Sequence, residues 1–535
     1  MIIDARGLPP GHTIEADLCV IGAGPAGLTL AREFEGTPTR VVLLESGRFD
    51  MDDDAQSLNE GTTSSTHHLD DALRDGRRRQ FGGSTNLWVH HTDPDDGRRH
   101  ARMLLPEAID FADWPVDRAA LLPFYERAHH TCRLGPWNYD TDRWAGGGPW
   151  PFARATTVVC HYCANDVFTR RYRDDAKASD NVTLVQNATV VAIDADRERS
   201  TVGSVRAAGF DGRSVRVVAR RFVLAGGGIE NPRLLLASDL GNDHDVVGRY
   251  VMDHPEFRLG VVEPDDPERF RSMAFYDLRW VDGVLVSGLL TLREDVKRSE
   301  QLKNLCCMVV AKSKGTGSET EKAIKATVVA ARGRLGRSAL RHAARAITRL
   351  DETAAVVSAR TIRRSQQYTE FHAGWSRQVG AEHRFRVFEL IAATEQSPHA
   401  DNRLVLSGRR DRLGLPAVEL RWRWHEADQR SVLRTRDILS DEVERTGLGR
   451  FRPWVDLEGP SRPSFPGIHH PMGATRMHPD PRHGVVDEQC KVHGVTNLFV
   501  AGSSVFPTGL GYANPTLTLV ALATRLADHL KALAA

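Results

Sequence analysis

Val20-Ile21-Gly22-Ala23-Gly24-Pro25-Ala26-Gly27 is the stretch that decides the fold. It joins an apolar, β-leaning segment (16–21) to a helix-forming segment (28–34), and a second buried strand is predicted at 41–44. The first glycine of this Gly-x-Gly-x-x-Gly pattern permits a tight turn, the second lets a pyrophosphate approach the backbone, and the third allows close helix–strand packing. Phosphate oxygens then meet the free N–H groups and positive end of the helix. The stretch predicts a Rossmann-like dinucleotide site, without distinguishing FAD from NAD.

Two further features support this site. Glu45 follows the second predicted strand, 18 residues after Gly27, where a carboxylate can accept hydrogen bonds from an adenosine ribose. Gly82-Gly83-Ser84 offers backbone donors without side-chain obstruction, which suits a loop beneath a pyrophosphate or an isoalloxazine ring and favours FAD. Taken alone, this second motif is equally typical of a surface turn.

Length and composition limit the remaining possibilities. The 535 residues exceed one ordinary core, so two domains are expected. A formal net charge of +1 gives no reason to expect a nucleic-acid partner. No stretch approaches the roughly 20 apolar residues of a membrane span, and the polar N-terminus predicts no secretory signal. Seven cysteines, an odd number, do not suggest a disulfide framework, so a reducing cytoplasm is the expected location.

The coarse pattern of the rest predicts a second, sheet-based unit. Apolar residues alternate at 384–396 and again at 417–424, which predicts an antiparallel sheet with one covered face. Segments 182–193 and 215–224 are predicted as paired strands, and 229–232 as a loop that opens a helix at Arg233.

The segment 320–365 is rich in alanine and arginine. Its arginines repeat every four residues at Arg337, Arg341, Arg345 and Arg349, so one helix face is basic. A solvated helical hairpin and a membrane or partner surface are both compatible with this pattern.

At this point the chain resembles one known family, the glucose–methanol–choline (GMC) oxidoreductases, through motifs that occur in the family's order. Only 260–380 lacks recognisable motifs. The motifs are Val20-Ile21-Gly22-Ala23-Gly24-Pro25-Ala26-Gly27; Gly82-Gly83-Ser84-Thr85-Asn86-Leu87-Trp88; Trp114-Pro115 with Pro123-Phe124-Tyr125-Glu126-Arg127-Ala128; Ala225-Gly226-Gly227-Gly228-Ile229-Glu230-Asn231-Pro232; Val247-Gly248-Arg249-Tyr250 with Asp253-His254-Pro255; Glu395-Gln396 before Asn402-Arg403; and Asn497-Leu498-Phe499-Val500-Ala501-Gly502-Ser503-Ser504 running to Asn514-Pro515-Thr516.

The resemblance implies an FAD-dependent alcohol oxidase or dehydrogenase of the α/β class. The fold that the resemblance implies consists of a Rossmann-like FAD-binding domain and a second α+β substrate-binding domain built on an antiparallel sheet. We expect the discontinuous FAD-binding domain to comprise 12–100, 181–255 and 460–535. The substrate-binding domain would then comprise 101–180 and 256–459, including the basic segment at about 320–365. The predicted cofactor-binding residues are Gly22, Gly24, Ala26, Gly27, Glu45, Ser46, Gly82, Gly83, Ser84, Asn86, Val190, Gly226, Gly502, Ser503, Asn514, Pro515 and Thr516.

Three positions refine the resemblance. Asn514 stands where many family members carry a second histidine, and this is similar to the pyranose oxidase-like branch that oxidises sugars and glycosides. Some similar proteins act on sugar rings in aminoglycoside antibiotic pathways. Leu87 stands where pyranose oxidases have a histidine bonded covalently to FAD, so noncovalent FAD is expected. Gly502 replaces an aspartate of some relatives, which leaves only a backbone N–H for that flavin contact.

The family's catalytic base falls on His470 and its partner on Asn514. A neutral imidazole near the working pH accepts the hydroxyl proton of an alcohol, and an amide donates a hydrogen bond to the developing alkoxide while the hydride goes to flavin N5. Two alternatives stay open: neighbouring His469 is the next candidate base, and Asn514 is also a good cap for the helix after Pro515.

Two other features of the sequence give weaker evidence about function. Cys160 and Cys163 form one C-x-x-C, which is incomplete for structural zinc, so an incidental pair is favoured over a redox or metal role and no metal is expected. His254 is either near the substrate entrance or a structural turn residue.

The predicted function is oxidation of an alcohol group of a sugar, glycoside or aminoglycoside-type substrate to a carbonyl. Oxygen or another carrier would reoxidise the flavin, and the oligomeric state stays open. The alternative is a flavin-containing lyase, similar to the hydroxynitrile lyase of the same family, without redox turnover.

Overall fold

The computed structural model describes residues 1–65, 71–88, 91–92, 99–100, 103–104, 114–144, 149–164, 166–266, 273–312, 375–377, 385–454, 469–511 and 514–534. The predicted basic segment at 320–365 lies outside these residues.

The elements are as follows. The strands, in chain order, are β1 (Ile2–Asp4), β2 (His12–Ile21), β3 (Val41–Leu44), β4 (Gly61–Thr63), β5 (His91–Thr92), β6 (Arg99–His100), β7 (Met103–Leu104), β8 (Ala155–Tyr162), β9 (Val182–Gln186), β10 (Thr189–Ala195), β11 (Val202–Ala208), β12 (Ser214–Leu224), β13 (Glu256–Pro264), β14 (Arg279–Val281), β15 (Val284–Leu292), β16 (Leu305–Lys312), β17 (Val387–Thr394), β18 (Arg403–Arg410), β19 (Pro416–Arg421), β20 (Gly449–Pro453) and β21 (Leu498–Val500). The α-helices are α1 (Pro25–Glu33), α2 (Asp53–Ser57), α3 (Ala72–Asp75), α4 (Arg118–Thr131), α5 (Tyr172–Ala178), α6 (Gly227–Ala237), α7 (Glu294–Glu300), α8 (Glu426–Arg445) and α9 (Thr516–Ala532). Short 3₁₀ segments lie at Ala5–Gly7, Gly83–Leu87, Asp142–Trp144, Met273–Tyr276, Trp375–Arg377 and Ser503–Val505, and a π turn at Val167–Arg171.

The first sheet follows from the glycine stretch. Its order is β1-β9-β3-β2-β12-β11-β10, with β21 beside β12. The strands β1, β9, β3, β2, β12 and β21 pair in parallel, whereas β11 and β10 pair antiparallel. Helix α1 connects β2 to its parallel neighbour β3, and α9 packs against α1 and α4. Residues 18–21 and 41–44 are buried on both faces, as a helix-covered parallel sheet requires.

The second sheet is antiparallel throughout. Its order is β20-β13-β17-β16-β15-β8-β7, with β14 beside β15. The predicted antiparallel strand at 384–396 is confirmed as β17, but the prediction of a single covered face is wrong, because every β17 residue except Ala393 is buried. Helix α8 packs on β20 and β13.

The second alternating segment, 417–424, belongs elsewhere. Its residues 417–421 form most of β19, which pairs antiparallel with β18 and parallel with β4 in a separate three-stranded sheet.

Two local predictions are corrected. The segments 182–193 and 215–224 do not pair: the first divides into β9 and β10 at Asn187, whose φ of 55° lies in the left-handed region and breaks the strand. Strand β9 joins β1 and β3, while β11 separates β10 from β12.

The helix predicted at Arg233 begins earlier. Residues 229–232 lie inside α6, which starts at Gly227, because the Asn231 side chain accepts a hydrogen bond of 2.7 Å from the Gly226 N–H and closes the first turn.

Among the described residues, no helix combines the length and apolar character that a bilayer crossing needs.

Candidate active site

One cavity of about 700 Å³ collects most of the predicted site residues. It is lined from the first sheet's loops and, on the far side, by Glu256 of β13 and Met308 of β16. The predicted residues that line it are Gly22, Gly24, Ala26, Glu45, Ser46, Gly83, Ser84, Val190, Gly226, Gly502, Ser503, Asn514, Pro515, Thr516 and His470. Gly27, Gly82 and Asn86 do not line it and act on the loops instead.

The first glycine loop has no room for side chains at two positions. A Cβ on Gly22, whose φ is +107°, would lie 2.6 Å from the Ala225 carbonyl oxygen, and one on Gly27 would lie 1.9 Å from the Gly22 oxygen. Gly24 is different, because the nearest atom to its Cβ would be 4.0 Å away on Gly83. Gly27 therefore allows α1 to pack on the end of β2, Gly22 allows the turn to pack on Ala225, and Gly24 keeps the cavity wall bare for a ligand.

The second loop is held against the first. The Gly82 N–H donates to the Ala23 oxygen at 2.8 Å. The Asn86 side-chain amide donates to the oxygens of Phe81 (3.0 Å) and Gly83 (2.9 Å). Asn86 thus shapes the loop, and Gly83 and Ser84 face the cavity.

Glu45 lines the cavity at the end of β3. Its two carboxylate oxygens accept hydrogen bonds from the N–H groups of Ala23 (2.9 Å) and Gly47 (2.8 Å). Burial raises the pKa of Glu45, and these N–H groups oppose that shift. The carboxylate therefore ties the glycine loop to the residues after β3, besides facing the position expected for a ribose.

A buried ionic cluster adjoins this end of the cavity and was not among the predicted site residues. Glu230 pairs with Arg77 (2.7 Å), Arg79 (2.6 Å) and Arg233 (3.2 Å), and Arg233 also pairs with Asp411 (2.7 Å). Burial alone would raise the pKa of Glu230, but the three guanidinium groups outweigh it and hold that pKa well below its ordinary value. In the sequence, Arg77, Arg78 and Arg79 form an arginine-rich run and Glu230 lies in the family motif at 225–232, but neither pattern predicts that these residues pair.

The other end of the cavity contains the predicted catalytic pair. Asn514 Nδ2 lies 3.3 Å from His470 Nε2, although the two residues are 44 apart in sequence. Both are nearly buried, with 8% of His470 and 7% of Asn514 exposed.

His469 and His470 differ in exposure. Both backbone N–H groups donate to the carboxylate of Asp253, at 3.1 Å and 2.7 Å, so the loop is fixed at both residues. The His470 ring is buried, whereas His469 is exposed. The His470 ring contacts the Asn514 side chain, and this favours His470 over His469 as the base.

Asn514 also caps α9. Its Oδ1 accepts hydrogen bonds from the Thr516 N–H (2.9 Å) and the Thr516 hydroxyl. The capping alternative is therefore present together with the contact to His470.

His254 contacts the catalytic pair, which the sequence analysis did not predict when it placed this residue either near the substrate entrance or in a structural turn. Its Nδ1 lies 3.1 Å from His470 Nδ1, and its Nε2 contacts the Gly509 carbonyl oxygen. The two rings meet edge to face, with centroids 5.1 Å apart. The motif Asp253-His254-Pro255 was noticed, but nothing local indicates which residue lies across from it.

The loop after His470 is pressed against two neighbours. A Cβ on Gly228 would lie 2.1 Å from the Pro471 carbonyl oxygen, so α6 approaches this loop as closely as backbones allow. The Ser503 hydroxyl donates to the same oxygen at 2.7 Å.

Comparison with known proteins indicates the family of the chain. Residues 157–256 match the N-terminal profile of the GMC oxidoreductase family, and residues 398–523 match its C-terminal profile. The chain belongs to the GMC oxidoreductase family. The predicted family is thereby confirmed, and the match supports FAD as the cofactor.

Several relatives have names that refer to carbohydrate-type compounds, namely fructose, C-glycosides and paromamine. The fructose dehydrogenase large subunit of Gluconobacter japonicus is 28% identical over 355 residues, which are 64% of this chain and 53% of that protein. The chain thus spans about half the length of that relative. The C-glycoside 3-oxidase of Microbacterium trichothecenolyticum is 34% identical over 121 residues, 22% of each chain. The paromamine 6'-oxidase of Streptomyces fradiae is 31% identical over 132 residues, 24% of this chain and 23% of that one.

A solved structure agrees on the fold. Pyridoxine 4-oxidase from Mesorbium loti superimposes on 97% of this chain and 99% of its own, with a TM-score of 0.51 and 16% sequence identity. With the two-sheet architecture above, this confirms the predicted fold class of the GMC oxidoreductase.

The remaining sequence signals in this GMC oxidoreductase have local explanations. Cys160 Sγ lies 3.2 Å from the Ser287 hydroxyl, while Cys163 donates to the Ala164 oxygen at 3.3 Å. Burial raises the pKa of Cys160 to about 11, which disfavours a reactive thiolate. Within the described part of the chain, no group of three or more His, Cys, Asp or Glu side chains could hold a metal ion.

Gly502 has a conformational reason to be glycine. Its φ of +112° with ψ of −176° is a backbone region that side-chain-bearing residues rarely adopt. A Cβ there would meet nothing within 4 Å, so conformation and not space selects glycine.

Proposed function

We propose that this GMC oxidoreductase oxidises an alcohol group of a sugar, glycoside or aminoglycoside-type substrate to a carbonyl, with noncovalently bound FAD. The single observation that carries the proposal is the cavity itself: a dinucleotide cradle at one end is continuous with the His470–Asn514 pair at the other. The relatives named for fructose, C-glycosides and paromamine support the substrate class.

The residues present fit the cofactor. The bare wall at Gly24 and Gly83 admits a pyrophosphate to the backbone N–H groups at the start of α1, which no described side chain caps. Glu45 and Ser46 line the position for the ribose. When bound, FAD supplies the acceptor for the hydride that leaves the carbinol carbon.

The protein's own part is to take the proton and hold the oxygen. His470 Nε2 accepts the hydroxyl proton, a contribution of about 100- to 10,000-fold for general base catalysis. Asn514 Nδ2, which carries two N–H groups, donates to the oxygen as negative charge develops there. Burial of both side chains keeps water from competing for these contacts.

Noncovalent attachment is proposed because Leu87, an unreactive side chain, lines the cavity at the position expected for a flavin-linking histidine. Acid precipitation should release all of the FAD into the supernatant. Yellow colour that remains in the pellet would contradict this part of the proposal.

Anaerobic reduction of the purified yellow protein tests the activity. D-fructose, an aryl C-glycoside and paromamine are mixed separately with the protein, methanol serves as the simple-alcohol control, and the oxidised flavin band is followed. We expect bleaching by at least one of the three carbohydrate-type probes and not by methanol. Admission of air then shows whether oxygen reoxidises the flavin. A band that no probe bleaches, although dithionite does, would contradict the proposal and favour the lyase.

A further inference from the structure

We infer that His254 is a positioning residue that holds His470 in the tautomer with its proton on Nδ1, so that the proton-accepting lone pair is on Nε2. The inference rests on the proposed role of His470 as the base. His254 and His470 are fixed in place by one carboxylate: Asp253 Oδ1 accepts from the His254 N–H (2.8 Å) and the His470 N–H (2.7 Å).

The first argument starts at Gly509. A backbone carbonyl oxygen can only accept, so the His254 Nε2 that contacts it must carry a proton. In a neutral imidazole the other nitrogen, Nδ1, then carries a lone pair. His254 Nδ1 is therefore the acceptor in the 3.1 Å contact between the two rings, and His470 Nδ1 is the donor. This leaves the lone pair of neutral His470 on Nε2.

The second argument starts from the opposite side, at Thr516. A backbone N–H can only donate, so the Asn514 atom 2.9 Å from it is the amide oxygen, and the orientation of that amide is fixed. The amide atom that faces His470 Nε2 at 3.3 Å is consequently the nitrogen, which donates. His470 Nε2 must accept, and this agrees with the result obtained from Gly509.

The agreement excludes the reverse arrangement. A doubly protonated His254 would donate from Nδ1 and force the His470 proton onto Nε2, where it would face the Asn514 N–H groups. Two hydrogen-bond chains that begin at separate backbone groups therefore specify one tautomer of one ring.

The same geometry serves the step after proton uptake. When His470 accepts a proton on Nε2, its Nδ1–H still donates to the neutral Nδ1 of His254, and a hydrogen bond from a cation is stronger than one from a neutral donor. Only 2% of His254 is exposed, so water does not replace it. His254 touches the base and not the alcohol, and its role is to set the direction of the proton.

Histidine-labelled NMR tests the tautomer without any substrate. The full chain, loaded with FAD and oxidised, is labelled with ¹⁵N-histidine, and long-range ¹H–¹⁵N spectra distinguish protonated from unprotonated ring nitrogens. His470→Asn assigns the His470 signals by their loss. We expect a protonated Nδ1 and an unprotonated Nε2 for His470 at neutral pH. The opposite pattern in the unsubstituted protein would overturn the inference, whatever the substrate proves to be.

Two substitutions of His254 distinguish a residue that positions the His470 proton from one that only fills space beside the His470 ring. In His254→Asn the amide oxygen can stand where Nδ1 accepts, whereas in His254→Gln the amide reaches Gly509 and leaves no acceptor for His470. We expect His254→Gln to keep bound FAD, to move the His470 proton toward Nε2, and to slow flavin reduction by D-fructose at least about 100-fold, as a wrong tautomer does in other imidazole-dependent enzymes. His254→Asn should recover most of that loss.

The outcomes distinguish this inference from the proposed function. Equal flavin reduction in His254→Gln and the unsubstituted protein would refute the inference and leave the function intact. If D-fructose fails to reduce even the unsubstituted protein, the substrate proposal fails, and the NMR pattern still decides the tautomer.

Discussion

The two ends of the cavity are built by different means. The cradle end consists of backbone N–H groups on contiguous glycine loops, supported by a buried cluster of full charges around Glu230. The His470 end consists of three side chains, His254, His470 and Asn514, which come from distant segments and contact one another through hydrogen bonds. At the first end, shape and charge decide what binds. At the second, the positions of individual protons decide what reacts.

The largest expected effect comes from substitutions at two glycines of the same motif, Gly27 and Gly24. Gly27→Ala places a Cβ against the Gly22 backbone oxygen, so we expect loss of the folded protein, a cost above about 4 kcal/mol. The Cβ of Gly24→Val would lie about 4.0 Å from its nearest non-neighbouring atom, Gly83 Cα, so the apoprotein should melt within a few degrees of the unsubstituted apoprotein while failing to retain FAD. Thermal denaturation of the apoproteins measures the effect on stability, and the FAD content of the purified variants measures the effect on binding. A stoichiometrically yellow Gly24→Val protein would contradict the cradle.

The next effect concerns the catalytic end alone. His470→Ala should keep FAD and slow flavin reduction by about 100- to 10,000-fold, because it removes the base. The neighbouring His469→Ala is the matched control and should change the rate by less than about tenfold. Stopped-flow reduction under anaerobic conditions measures both. The reverse ranking would assign the base to His469.

A smaller effect tests the charges at the cradle end. Glu230→Gln leaves Arg77, Arg79 and Arg233 without their shared partner, and we expect a loss of about 3–5 kcal/mol in the free energy of unfolding at pH 7. The exposed pair of Asp54 and Arg412 is the control, since Asp54→Asn should cost no more than about 1 kcal/mol.

The pH dependence of that difference has a definite sign. The folded-state pKa of Glu230 is depressed, so its contribution is fully present above its unfolded value of about 4.3 and is lost as pH falls below it. Denaturant unfolding at pH 7 and at about pH 3.5 should therefore show a narrower gap between Glu230→Gln and the unsubstituted protein at the lower pH. If this difference in the free energy of unfolding were larger at the lower pH, the result would contradict a negatively charged Glu230 in the folded protein.

The smallest effect lies at the loop that carries His470. Ser503→Ala removes one hydrogen bond to the Pro471 oxygen and should lower the free energy of unfolding by about 0.5–1.5 kcal/mol. Because the Gly228 contact continues to hold the same loop, we expect denaturant unfolding to show no larger loss. A loss above about 3 kcal/mol would mean that the hydroxyl stabilises more than this one contact.

Sequence reasoning succeeded where structure is local. The glycine loop, the strand at Val41–Leu44 and the position of Glu45 follow from residues that are neighbours in the chain, and the structure has them where the pattern predicts. The pairing of 182–193 with 215–224 failed because a pairing partner is a non-local property: a single left-handed residue, Asn187, divides the segment and sends its halves to different parts of the sheet.

The candidate site shows the same division. Resemblance to a family brought His470 and Asn514 together, and the contact of 3.3 Å agrees with that pairing. The contact of His254 with His470, 216 residues apart, has no local signal, and neither has that of Glu230 with Arg77, 153 residues apart. Both contacts join side chains that are distant in sequence and come together only in the folded protein.

The short strand β21 also sets the order in which the molecule can be completed during synthesis. Its residues Leu498–Val500 pair with Phe222–Leu224 of β12, and the Ala501 N–H donates to the Leu224 oxygen. These partners are 276 residues apart in the chain, which at about 5–20 residues per second corresponds to roughly 14–55 s of translation. For that interval the apolar edge at 222–224 lacks this neighbour and is open to other strands.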